Sequence, residues 1–196
     1  FTSVKEWIGG FFGKFDKQYK KWIAGGIILG ILIFLFPTLY GEGYEAFVAL
    51  MHGNTEVIFE NSLFYDYSGI GWFVLLYVVA VMFFKVIAMA TTNASGGVGG
   101  TFAPSLFVGA FAGASLALFC NVVCGLNVSV AAFTLVGMGG VMAGVMKAPL
   151  TSIFLIAELS NGYELFIPLM ISACIAFAVD HYFEPDSIYT KQLRRQ

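Results

Sequence analysis

Charge is scarce in this 196-residue chain. Lys, Arg, Asp and Glu together make up 11% of it, less than half the roughly 25% of an ordinary soluble domain. So few charges cannot cover a water-facing surface, which excludes a conventional soluble globule and leaves lipid as the solvent. The net charge is −2, and no basic patch is rich enough to hold nucleic acid. Cysteine is scarce too. Cys120, Cys124 and Cys174 are three in number and set in apolar sequence, which excludes a paired disulfide framework and predicts buried free thiols. Cys120 and Cys124 lie four apart on a helix-compatible stretch, but no His or carboxylate neighbours them. His52 and His181 likewise lack partners at ligand spacing, so no metal site and no cofactor is expected. No catalytic constellation stands out, and an enzyme is not the expected class. The first residues lack the charged stub and apolar core of a signal peptide. The chain opens on Phe1 instead of Met, which reads as a segment of a longer protein.

What the sequence does have is apolar length. Hydrophobic residues make up 59% of it, with 21 Phe, and the mean hydropathy is +0.84. Trp22 to Leu39 and Ser68 to Phe84 carry no charge. After the lone Lys85 an uncharged run continues from Val86 to Met146, long enough for about three crossings at roughly 20 residues each. Leu165 to Val179 is a shorter apolar stretch. The expected fold is all-α: a polytopic membrane protein of broken and tilted helices, with residues 22–183 forming the membrane helices. Residues 1–21 read as the end of an amphipathic helix, with Trp7, Phe11, Phe12 and Phe15 at three-to-four spacing. Lys14, Lys17, Lys20 and Lys21 follow on the N-terminal side, and Lys191, Arg194 and Arg195 lie at the far end. Between them Glu42, Glu45, Glu56, Glu60 and Asp66 form an acidic region without Lys or Arg. The excess of Lys and Arg on cytoplasmic loops predicts a multi-pass protein of the cell membrane, both ends inside and the loop around 52–66 outside.

Glycine and proline punctuate these runs. Pro37 and Gly41-Glu42-Gly43 close the first span. Ser95-Gly96-Gly97-Val98-Gly99-Gly100 interrupts the longest one, and Gly137-Met138-Gly139-Gly140 reads as a second flexible patch. Pro149 and Pro168 stand where helices can begin, since a first turn tolerates proline. The pairs Gly26/Gly30, Gly109/Gly113 and Gly140/Gly144, each four apart, predict close helix contacts. Irregular backbone survives in a bilayer only when buried in protein or lining a polar cavity, so a glycine cluster in apolar sequence points to a site.

The sharpest such point is Gly99-Gly100-Thr101-Phe102-Ala103-Pro104, followed by the helix-compatible run Ser105 to Phe119. A helix starting here presents N–H groups without intrahelical acceptors and the positive end of its dipole. Inside a low-dielectric bundle that arrangement binds an anion without Lys or Arg. Glycine also lets the ion approach the backbone closely. The residues by themselves equally allow an ordinary helix start at the membrane surface.

Four ordered segments carry a resemblance. Gly100-Thr101-Phe102-Ala103-Pro104 resembles the G-x-F-x-P signature of the CLC chloride channels and chloride/proton exchangers. Pro37-Thr38-Leu39-Tyr40-Gly41-Glu42-Gly43 is similar to a glycine-rich turn of that family. Gly144-Val145-Met146-Lys147-Ala148-Pro149-Leu150-Thr151, running on to Glu158-Leu159, is similar to its A-P-L-T segment and the E-L or E-M pair after it. Ser187-Ile188-Tyr189 resembles the entrance to its final helix, here residues 184–196 on the cytoplasmic side. The resemblance implies that the whole chain, 1–196, is the C-terminal half of a CLC transmembrane domain, one half of an inverted repeat. It implies chloride as the transported ligand, with the backbone amides of Thr101, Phe102 and Ala103 and the hydroxyl of Tyr189 facing it. Gly99 and Gly100 are the helix-break glycines. By itself Tyr189 would read as an interfacial tyrosine. The resemblance further implies a homodimer through residues near 149–183 and a hydrogen-bonding, structural role for Glu158. Lys147 is expected at a helix junction, and Lys85 is expected to snorkel or to sit near the cytoplasmic mouth. The family's serine-containing turn, gating glutamate and proton-carrying glutamate do not occur in this sequence, so channel and exchanger are not distinguished. A transporter of another class, cation-coupled and reusing broken helices, and a segment inactive by itself remain the alternatives.

Overall fold

The computed structural model describes residues 2–160 and 163–184. Among the described residues eight α-helices run in chain order: α1 (Thr2–Gly13), α2 (Gln18–Leu35), α3 (Tyr44–Met51), α4 (Gly71–Ala94), α5 (Phe102–Val123), α6 (Val130–Met146), α7 (Pro149–Leu159) and α8 (Phe166–Phe183), with short 3-10 turns at Pro37–Leu39, Val57–Phe59 and Tyr65–Tyr67. No strand occurs among the described residues. Helices α2, α4, α5 and α8 are long and apolar enough to cross a membrane, while α6 and α7 are shorter apolar helices. The chain is an all-α polytopic membrane protein.

The helix ends follow from proline and glycine chemistry. Phe36 leaves the helical region (φ −130°, ψ 83°) because the residue before a proline clashes with its ring there, and Pro37 opens a 3-10 turn. At the end of α6, Lys147 is left-handed (φ 57°). Ala148 is then extended ahead of Pro149, which opens α7. Helix α6 starts at a serine cap, with the Ala132 N–H donating to Ser129 Oγ at 3.3 Å. Asn121 ties down the connection before it: the Val128 N–H donates to Asn121 Oδ1 (2.8 Å), and Asn121 Nδ2 donates to the Val128 carbonyl (3.0 Å).

Helix α5 is the axis of the bundle, packed on α4 and α6, and α6 packs in turn on α7 and α8. Small residues set these contacts. A Cβ built on Gly109 would lie 2.7 Å from the Gly137 carbonyl oxygen and the Met138 Cα. One on Gly140 would lie 2.7 Å from Ser172 Oγ, and one on Gly144 meets Asp180 at 3.5 Å. Helices joined backbone to backbone in this way gain dispersion contact that lipid cannot supply. Two of the three expected glycine pairs therefore serve helix contact. Gly26 and Gly30 do not, since nothing lies within 4 Å of either. The patch Gly137–Gly140 is not a flexible break either, but continuous helix inside α6.

The outer helices face the solvent that composition calls for. Trp22, Ile27, Ile31 and Phe34 on α2, and Ile167, Ile171 and Ile175 on α8, are exposed, as lipid-facing side chains are. Helix α1 turns a different face inward than its aromatic spacing suggests. Ile8 and Phe12 are buried against Ala90, while Trp7 and Phe11 are exposed. The thiols differ as well: all three cysteines are free, but Cys124 and Cys174 are exposed and only Cys120 is half-buried. Glu158, on the last turn of α7, is exposed.

Candidate functional site

The break between α4 and α5 is built by its glycines. Gly96 adopts φ +100°, a conformation closed to most side chains. A Cβ on Gly97 would lie 2.9 Å from the Thr92 carbonyl oxygen. The loop is held from α4, where the Gly99 N–H donates to Asn93 Oδ1 at 3.1 Å. The other end of that amide, Asn93 Nδ2, is buried without a hydrogen-bond partner, a cost that polar groups in a packed bundle rarely carry. Gln18 Nε2 reaches across to the Ser95 carbonyl at 3.4 Å, so α2 braces the same loop.

After the break, Thr101 caps α5, and Phe102, Ala103 and Pro104 form its first turn. A first turn has no intrahelical acceptors for its amides. Pro104 contributes no N–H, so Phe102 and Ala103 hold the leading donors. Further in, the Ser105 hydroxyl donates to the Phe102 carbonyl at 2.6 Å.

A cavity of about 450 Å³ opens against this turn, lined by Gly99, Gly100, Phe102, Ala103 and Pro104, by Lys85 and Thr92 of α4, and by Gly41, Glu42 and Tyr44. Of the residues expected from the sequence, Gly99, Gly100, Phe102 and Ala103 thus line one space. Thr101 is buried and does not belong to the lining. Tyr189 lies outside the described residues, as do residues 185–196 of the expected final helix; Glu184 closes α8.

The sequence reading missed the strongest charge in the site. Lys85 neither snorkels nor reaches a mouth: it is 4% exposed. Its ammonium donates to the carbonyls of Gly41 (2.9 Å) and Leu39 (3.3 Å). It also lies 4.6 Å from the centre of the Phe107 ring, within cation–π range. Phe107 stacks on Phe111 at 4.2 Å and presses on Gly43, where a Cβ would fall 2.5 Å from the ring. Gly43 also has φ +80°, so two independent constraints require glycine there. The available signal was that Lys85 is the only charge between Asp66 and Lys147, and an intramembrane charge is a site candidate by default. Lys147 is where the sequence put it, at the α6–α7 junction, and it pairs with Asp180 of α8.

The lining brings together the first residues of a helix, a buried ammonium and the carboxylate of Glu42. The carbonyls of Leu39 and Gly41 accept from Lys85. Among the described residues no group of His, Cys, Asp and Glu is placed to hold a metal ion.

Fold and cavity together define a class: a polytopic helical membrane protein with a glycine-built break beside which the first residues of the next helix line a cavity. The sequence matches the family described as "Voltage gated chloride channel" across residues 1–181. It is 33% identical over 158 residues to "Chloride channel protein CLC-e" of Arabidopsis thaliana, covering 76% of this chain and 20% of that protein. It is 30% identical over 181 residues to "H(+)/Cl(-) exchange transporter ClcA" of Vibrio campbellii, covering 90% of this chain and 35% of that protein. To the protein of the same name from Vibrio cholerae it is 28% identical over 190 residues, covering 94% and 37%. The chain belongs to the voltage-gated chloride channel family, and it spans between a fifth and two-fifths of the length of these relatives.

Proposed function

We propose that this chain supplies half of an anion pathway through a membrane, as the second of two inverted halves, in a chloride channel or chloride/proton exchanger. The observation that carries the reading is the lining of one cavity by the first residues of α5, the break glycines Gly99 and Gly100, and the buried Lys85. Helix N-termini meeting at a break inside the bilayer are a recurring way to hold an anion. Donors that are only partly charged bind weakly enough to let it go. In this reading the amides of Thr101, Phe102 and Ala103 and the hydroxyl of Tyr189 face the ion, Thr101 from its place at the cap. The exposed apolar faces of α7 and α8, including Leu150, Phe154, Ile167 and Ile171, form the interface of a homodimer through residues near 149–183. The protein sits in the cell membrane with both ends of this chain on the cytoplasmic side.

The matched relatives carry the names of both a channel and an exchanger, so the test reads two fluxes. The purified protein in proteoliposomes is expected to release chloride down its gradient. Coupled proton movement identifies an exchanger, and chloride flux without it identifies a channel. A sodium-dependent flux that ignores chloride contradicts the anion reading. For Tyr189, replacement by Phe is expected to weaken halide binding in calorimetry while the thermal unfolding midpoint stays put; unchanged affinity removes it from the site.

A further inference from the structure

The cavity before α5 carries two opposite charges, and both come from outside the helix that defines it. Lys85 projects from α4 and Glu42 from the turn between the Pro37–Leu39 segment and α3. We propose that these two residues set how tightly the cavity holds its anion, Lys85 raising the affinity and Glu42 lowering it. The inference rests on the anion-pathway reading above.

The position of each charge is fixed by the fold. The Lys85 ammonium is oriented by two neutral carbonyls and stands within electrostatic reach of the Glu42 carboxylate. It therefore acts on an anion through space from a fixed point. Gly41, which supplies one of the accepting carbonyls, immediately precedes Glu42. Gly41 (φ +60°) and Gly43 (φ +80°) are both left-handed, and the second is pinned under the Phe107 ring. The same turn thus holds the ammonium and presents the carboxylate.

Glu42 also marks a boundary. It lines a neighbouring cavity of about 630 Å³ together with Glu45 and Glu60, and that cavity has no Lys, Arg or His in its lining. An anion passing between the two spaces moves between a carboxylate-lined region and one that holds an ammonium and helix amides. Glu42 is the charge common to both linings, so its effect falls on the ion at the transfer. Opposed charges beside a site in a low-dielectric bundle change affinity strongly, because little solvent screens them.

Bromide titration of the purified protein by calorimetry tests this, with bromide anomalous diffraction confirming which site is read. Glu42→Gln is expected to tighten binding about fivefold, and Lys85→Met to weaken it about tenfold. Lys85→Arg should recover most of that loss, and the double variant should fall between the singles. If Lys85→Met fails to fold, Glu42→Gln still decides, because misfolding does not produce tighter binding. Wild-type binding that Glu42→Gln leaves unchanged or weakens overturns the inference while the anion site stands. A wild-type protein with no bromide at α5 overturns the anion site itself.

Discussion

Two stretches of this chain look alike on paper and behave in opposite ways. Ser95 to Gly100 and Gly137 to Gly140 are both glycine-rich and both lie in long uncharged sequence. The first breaks the chain between α4 and α5, and its last glycines line a cavity with the first turn of α5. The second stays helical throughout and is used for contact, Gly137 against α5, and Gly139 and Gly140 against α8. The difference lies in what stands beside the glycines. The break has Gly96 at φ +100°, Asn93 competing for the Gly99 amide, and Pro104 in the next helix's first turn. The α6 patch has none of these, and its glycines face two neighbouring helices. In lipid, glycine inside a helix is tolerated when close packing replaces what it costs in backbone freedom.

The largest expected effect breaks the contact half of this comparison. Gly113 on α5 faces the Phe133 carbonyl and the Thr134 Cα of α6. Gly113→Val should push the two helices apart and cost about 3 kcal/mol or more, read as a large drop in the thermal unfolding midpoint in detergent. A variant as stable as wild type would mean that α5 and α6 do not meet there. The next effect breaks the site half. Replacing the amide at Phe102 or Ala103 by an ester removes one donor and leaves the side chain. Halide affinity should fall about tenfold, with little change in stability. The same exchange at Gly139, within α6, should leave halide affinity alone; equal effects at both places would erase the distinction.

A smaller change sharpens it. Asn93→Ala removes the acceptor for the Gly99 amide and should loosen the break, weakening halide binding about fivefold, in line with loss of a single hydrogen bond of roughly 1 kcal/mol. It also removes the unpartnered Nδ2, so stability should move less than affinity. Smallest of all, Gly30→Ala on α2 meets nothing within 4 Å. It should shift the unfolding free energy by no more than about 0.5 kcal/mol and leave halide binding alone. A large loss would show that α2 packs against a partner at that face.

Local chemistry made much of this legible in the sequence. The breaks before Pro37 and Pro149 follow from the clash of a proline ring with the residue before it, and the start of α5 follows from the run of glycines before Phe102. The proposed anion donors are backbone amides, so a helix start is enough to suggest them. Lys85 was not readable in the same way. Its partners Leu39 and Gly41 are 46 and 44 residues away, and no local pattern announces a contact of that range. Exposure was harder still. A period-3.6 aromatic pattern marks a helical face, but in lipid the apolar face need not point inward, and Trp7 and Phe11 point out. The same ambiguity left Cys124 and Cys174 exposed where a water-soluble fold would have buried them. The Gly26/Gly30 pair had the spacing of a packing motif without a neighbour among the described residues, because spacing names a surface and not what lies on it.

The most direct test of the central claim is anomalous diffraction from crystals of the protein grown in bromide. The account predicts a bromide peak within hydrogen-bonding reach of the Phe102 and Ala103 amides, in the cavity beside Lys85, and none along the glycine face of α6. A map with no peak at the start of α5, from crystals in which bromide is ordered elsewhere in the protein, would contradict it.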